Sequence, residues 1–230
     1  MSCSKVDERI FPHISTKHFI IYDGKGVGKE YDDVVMGPLK ISGKLAYVAR
    51  NGEVGNGDKS FLIYDGQRVG GEYYSIDSIK EINRKIVFTA KTDWEKKSLF
   101  YDGQKIGGEY RHIDGRSIKE INGKVAFVAS EIGKDGSPVV FFVYDGEVVG
   151  GEYKGIVNFS EINGKLVLGI VKRSYYCPGC DWPKTEYSIV YNGNDIGKEF
   201  DSSGEQITNI NGKLAFTATK NGKTFIVMEK

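Results

Sequence analysis

Two cysteines three positions apart, Cys177-Pro-Gly-Cys180, hold the most specific chemistry written in this chain. A Cys-Pro-x-Cys turn aims two thiolates at one point, as in a zinc or iron knuckle with metal–sulfur bonds of about 2.3 Å. A closed tetrahedral site needs four ligands, and the chain has no second Cys-x-x-Cys. Cys3, His13 and His18 could complete the set if the N-terminal segment reached the loop; otherwise a second protomer could donate an identical pair. Zinc on Cys177 and Cys180 is therefore one reading. A local disulfide and a bare turn with two free thiols are the others. A thioredoxin-like redox role fits less well, because that motif takes its low thiol pKa from a helix N-terminus.

Aromatic residues flank the cysteines: Tyr175, Tyr176 and Trp182, with Trp94 in another variable segment. Aromatic side chains are enriched at binding hot spots, so these four are the expected anchors for a protein or peptide partner. Catalytic constellations are missing. His13, His18 and His112 are scattered, and neither Gly-x-Ser-x-Gly nor His-Glu-x-x-His occurs. A glycosidase-like enzyme would need an asymmetric pair of carboxylates. Glu95, Asp114 and Asp181 are non-repeated acids that leave such an enzyme open as an alternative, while the expectation leans to a non-enzyme. His112, beside Arg111, reads as a solvated loop histidine.

The elements that must position these residues are written as a repeat. Its first half reads YDG, then G-x-E-aromatic, starting at Tyr22, Tyr64, Tyr101, Tyr144 and, as YNG, at Tyr191. Its second half is I-N-G-K followed by apolar residues, starting at Ile41 (I-S-G-K), Ile82 (I-N-R-K), Ile121, Ile162 and Ile210. Successive tyrosines are 42, 37, 43 and 47 residues apart. A period near forty with two hairpins per unit is the signature of a β-propeller.

Asp-Gly and Asn-Gly suit two-residue type I′ turns, whose central residues both need positive φ. Four strands per repeat follow: A ends at I-N, B starts at the lysine, C ends at the tyrosine, and D carries G-x-E-aromatic. Strand B is apolar on both faces, as a strand buried between sheets must be. One face carries Ala46, Val87, Ala126, Val167 and Ala215, the other Tyr47, Phe88, Phe127, Leu168 and Phe216, a small-against-large pattern that predicts meshing between neighbouring sheets. The expected architecture is a single all-β domain over 1–230, a propeller of about five four-stranded antiparallel blades. The repeat enters part-way through a unit, and TFIVMEK at 224–230 matches HFIIYDG at 18–24. A ring of five would close by N- and C-terminal strands sharing a blade, with six blades as the alternative.

Within this frame the A–B and C–D turns are tight, whereas the B–C and D–A connections vary. The variable B–C segments are 51–58, 92–97, 131–138 and 172–187, and function is expected on their face or at the channel mouth. The recurring Glu30, Glu72, Glu109, Glu152 and Glu199 read as groups that orient strand D and pair with a repeat lysine. The sharper alternative is a lectin-like propeller whose G-E-Y tyrosines bind carbohydrate once per repeat.

Composition narrows the partners. The 230 residues are 40% hydrophobic and 12% aromatic, enough for a continuous core. With 32 basic and 31 acidic residues the formal charge is +1, and the lysines are spread through the repeat, which argues against nucleic acid or an anionic membrane as partner. MSCSKVDERIFPH lacks the apolar core of a signal peptide and no segment approaches a membrane span, so a soluble cytoplasmic protein is expected.

The stretches I-N-G-K-L-A-F-T-A at 210–218 and I-S-G-K-L-A-Y-V-A at 41–49 resemble the G-K-L-A-F portion of TolB-like and WD40-like propeller repeats. The S-P-D that precedes it in those repeats is missing from every copy. The resemblance implies a propeller that mediates binding, without a specific activity.

Overall fold

A computed structural model describes residues 17–52, 59–175 and 184–229. The chain divides into two compact units, Met1–Val69 and Gly70–Lys230. Among the described residues there are 22 strands and no helix, so none is long and apolar enough to cross a membrane.

In the first unit β1 (His18–Tyr22) and β2 (Lys25–Tyr31) form a two-stranded sheet. A second sheet runs β3 (Asp33–Ile41), β4 (Lys44–Arg50), β5 (Ser60–Tyr64) and β6 (Gln67–Tyr73), in that order, with β6 continuing past Val69. In the second unit β7 (Ser75–Ile82), β8 (Lys85–Lys91), β9 (Lys97–Tyr101) and β10 (Gln104–Tyr110) make a four-stranded sheet. In the following sheet the first strand is split into β11 (His112–Ile113) and β12 (Lys119–Ile121), both on β13 (Lys124–Ile132), which pairs with β14 (Pro138–Tyr144) and then β15 (Glu147–Tyr153). Next come β16 (Ile156–Ile162), β17 (Lys165–Tyr175), β18 (Lys184–Tyr191) and the short β19 (Asn194–Asp195). A three-stranded sheet of β20 (Ser202–Ile210), β21 (Lys213–Lys220) and β22 (Lys223–Met228) follows. Every paired neighbour is antiparallel, as the hairpin signals require.

The tight turns form where the sequence places them. Asp65 and Gly66 have φ of 54° and 74°, Asn122 and Gly123 of 50° and 77°, and Arg84 takes 60° without being glycine or asparagine. Three of the five repeat lysines reach across to the turn aspartate, Lys44 to Asp65 at 2.8 Å, Lys85 to Asp102 at 3.2 Å and Lys124 to Asp145 at 2.6 Å, whereas Lys165, whose turn carries Asn192, pairs with Glu229 at 3.8 Å. This differs from the expected pairing with the G-x-E-Y glutamates. Those glutamates are exposed, four on the outer strand and Glu199 in a turn, and Glu109 pairs with Lys105 of its own strand at 3.0 Å. The turn aspartate wins because it sits directly opposite the start of strand B.

Consecutive sheets of the second unit pack large faces onto small ones. Val87 of β8 shares a core with Phe127 of β13, Ala126 of β13 with Leu168 of β17, and Val167 of β17 with Phe216 of β21. In the first unit Tyr47 packs with Tyr31, Phe61 and Ile63. Turns interlock as well: Asn83 Nδ2 donates to the Gly123 carbonyl at 3.1 Å, and Asn163 donates to that of Gly212.

One expected strand is missing. Over Ile196–Phe200 the fifth G-K-E-F copy forms a turn, leaving only β19. Asp195 explains it: its carboxylate accepts from Ser188 Oγ at 2.6 Å and from the Gly197 amide at 3.0 Å, and the Phe200 amide then bonds to the Gly197 carbonyl at 3.1 Å. Local side-chain acceptors of this kind compete with ladder hydrogen bonds.

Candidate functional site

The B–C connection of the β7–β10 sheet is a built structure. Asp93 Oδ1 accepts from the amides of Glu95 at 2.7 Å and Lys96 at 2.6 Å, an Asx-type turn. Those two hydrogen bonds hold the Asp93 carboxyl below its ordinary pKa. Thr92 and Lys96 close the base at 3.1 Å. Trp94 is thereby lifted out with 70% of its surface exposed, and Tyr74 backs it at a ring separation of 4.8 Å.

Glu131 ties this connection to the neighbouring repeat. Lys96 Nζ donates to both its carboxylate oxygens, at 2.7 and 2.8 Å, and the Arg111 amide donates to one at 2.8 Å. One carboxylate thus joins two B–C connections and one D–A connection into a rim. Beyond it a groove of about 460 Å³ opens between Asp135, Pro138, Glu152, Tyr153, Lys154 and Ser174. That size lies within the range of small-ligand and peptide-side-chain pockets.

The segment 172–187, expected as a loop, is largely a strand-paired stem. β17 and β18 stay paired as far as Tyr175 opposite Lys184, with one register shift between Val171 and Arg173. Arg173 clasps Glu186 through two hydrogen bonds, 2.6 Å from Nε and 2.8 Å from Nη2, and this charge-assisted fork lowers the Glu186 pKa. Tyr175 is 40% exposed at the end of the stem, with the Arg173 guanidinium 5.3 Å from its ring.

Of the expected anchors, Trp94 and Tyr175 are thus exposed on B–C connections of two different sheets. Tyr176, Trp182, Asp181 and the thiols Cys177 and Cys180 lie outside the described residues, as do Cys3 and His13. Among the described residues no group of three or more His, Cys, Asp or Glu gathers where it could hold a metal ion. Three of the repeat tyrosines, Tyr31, Tyr73 and Tyr110, are buried rather than laid out as sugar platforms, while Tyr153 is half-buried in the groove wall. The hydroxyls of the buried three accept from the amides of Lys29, Gly71 and Gly108 in the bulged strand, at 3.3, 2.9 and 3.4 Å. Glu95 sits in the Asp93 turn, and Asp114 Oδ1 accepts from the Arg116 amide at 2.9 Å.

Sequence reasoning did not single out Tyr74, Glu131 or the groove at Tyr153. Glu131 opens the segment EIGKDGSP, but its partners are Lys96 and Arg111, 35 and 20 residues away, and no local pattern encodes such contacts.

No family model matches the chain, and no curated protein matches it. Among solved structures, similarity is found to the β-propeller domain of the Trilobed protease from Pyrococcus furiosus, described as having an open velcro topology. That domain is 15% identical, with 81% of this chain and 79% of that one covered and a TM-score of 0.37.

Proposed function

We propose that the chain is a β-propeller of the TolB-like or WD40-like repeat kind, working as a non-enzymatic scaffold that binds a protein or peptide through its B–C/D–A loop face. The sheets serve as blades, five in a ring with terminal strands sharing one blade, six being the alternative. The observation that carries the binding reading is Trp94, a large aromatic held 70% exposed by a dedicated turn and a tyrosine backing. An exposed tryptophan costs solvation unless a partner covers it, and such residues dominate binding energies. Tyr175, Tyr176 and Trp182 are the further anchors in this reading, and zinc is the metal it allows on Cys177 and Cys180. Neither nucleic acid nor a membrane is the partner in this reading.

Affinity capture with the intact chain tests it. Partners held by wild type should be lost with Trp94→Ala and Tyr175→Ala, yet kept by Lys124→Ala on the tight-turn face. Retention of every partner by the Trp94→Ala, Tyr175→Ala double variant would refute the assignment. A positive glycan array would instead favour the carbohydrate alternative. Elemental analysis with a free-thiol count decides the zinc question, because all three cysteines reactive and no metal would exclude it.

A further inference from the structure

A second cavity, of about 370 Å³, lies among strands β7, β9 and β11 and the 114–116 turn, and its lining is unlike that of the Tyr153 groove. Lys80, Lys97, His112 and Arg116 converge on it, with Ser78 in the wall. The adjoining cavity shares Asp114 and Arg116 and adds Lys119. Four cations therefore stand around this region against two carboxylates. Both acids are already engaged: Asp77 pairs with Lys97 at 2.8 Å, and Asp114 closes its own turn on the Arg116 amide at 2.9 Å. Lys80 is anchored at the wall by the Ile118 carbonyl at 3.3 Å. Among the described residues no carboxylate pairs with the Arg116 guanidinium, and the His112 ring is likewise unpartnered.

The backbone is bent to make this wall. Ser78 has φ of 52° outside any tight turn, at the bulge where β7 slips register against β8 between Asp77 and Lys80. A serine gains nothing from that conformation, and strain of this kind collects at ligand sites. The bulge sets the Ser78 hydroxyl against Gly115, where a Cβ would come within 1.9 Å of it. The 114–116 turn is fixed in the same way, by Ser117 Oγ donating to the Asp114 carbonyl at 2.7 Å and accepting from the Val128 amide at 2.8 Å. Arg116 is thus an unpaired cation on a rigid support.

We propose that this cavity binds a phosphate monoester, with the Arg116 guanidinium and Lys80 ammonium on the phosphate oxygens and the Ser78 hydroxyl and His112 ring as further donors. A planar guanidinium beside a point-charge ammonium is the donor set that suits a tetrahedral dianion. Trp94 does not line the cavity, and the proposal does not depend on the loop face binding protein.

Isothermal titration with glycerol 3-phosphate, at fixed ionic strength in chloride, tests the proposal. Saturable binding is expected for wild type, weakened about tenfold or more in Arg116→Ala and in Lys80→Met, the usual worth of a charged hydrogen bond. Both variants should melt with wild type in chloride alone, since neither residue supports a core. Absence of saturable binding would overturn the proposal, as would equal binding by Arg116→Ala. Equal binding of succinate would overturn the phosphate assignment, and equal binding of glycerol would show that charge plays no part.

Discussion

The hydroxyl of Tyr73 accepts a hydrogen bond from the amide of Gly71 at 2.9 Å, two residues earlier in the same strand. Tyr31, Tyr110 and Tyr153 repeat the relationship with Lys29, Gly108 and Gly151. Strand D bulges at the first glycine of G-x-E-Y, leaving an amide without a ladder partner, and the tyrosine supplies one. Tyr73→Phe keeps the ring against Phe88 and Phe100 but deprives that amide. Urea unfolding should show a loss of about 1 kcal/mol, and an unchanged midpoint would mean that water satisfies the amide.

Gly70 and Gly123 separate two costs of adding a methyl group. Both have positive φ, 75° and 77°, but a Cβ at Gly123 meets nothing within 4 Å while one at Gly70 falls 2.5 Å from Tyr73 Oη. Gly123→Ala is expected to cost about 1 kcal/mol, from backbone strain alone. Gly70→Ala should cost roughly 2–3 kcal/mol, because overpacking is added. Equal losses in denaturant titrations would show that the tyrosine moves aside freely.

Trp94→Ala removes a mostly exposed side chain held by a turn that Asp93 builds without it. Stability should stay within about 0.5 kcal/mol of wild type. Asp93→Ala, which removes both amide contacts, should instead raise hydrogen exchange at Glu95 and Lys96, a change readable by mass spectrometry. Protection unaltered in that variant would mean the turn does not rest on the carboxylate.

The Arg173–Glu186 fork gives the stem a pH dependence of known sign. Glu186 titrates below its ordinary value, so its contribution is full above the usual carboxylate pKa of about 4.3 and is lost as pH falls through the lower folded-state value. The melting-temperature gap between wild type and Glu186→Gln should therefore be present at neutral pH and close in acid. A gap that does not vary with pH would place the effect in packing.

Much of the fold is legible because its signals are local. Asn122-Gly123 and Asp65-Gly66 announce their turns in two residues, and alternation in strand B names the faces that mesh, as Val87 with Phe127 shows. What escapes reading depends on partners far apart in the chain. Asp195 replaces Arg68, Lys105 or Val148 at the same repeat position, and nothing adjacent reveals that Ser188 will capture it and unmake a strand. The phosphate cavity was hidden likewise: Ser78 and Arg116 are ordinary residues of two different repeats. Trp94 could be singled out because an aromatic in a variable loop stands out by itself, but Tyr74 behind it could not.

Gly107 of β10 and Gly146 of the β14–β15 turn face each other so closely that a Cβ on Gly146 would sit 3.2 Å from the Gly107 nitrogen. The distance between these two repeats is therefore set by atoms that are missing. A side chain gained by Gly146 must push against the Gly107 backbone, which has no rotamer with which to yield, whereas one at Gly107 would meet the Gly146 carbonyl oxygen at an ordinary 3.4 Å. The crowding is local to this pair, since Gly123 and Gly193 of other tight turns meet nothing within 4 Å. Among the B–C connections, by contrast, neighbouring repeats are tied through a side chain, Glu131 on Lys96, which can yield where a backbone cannot.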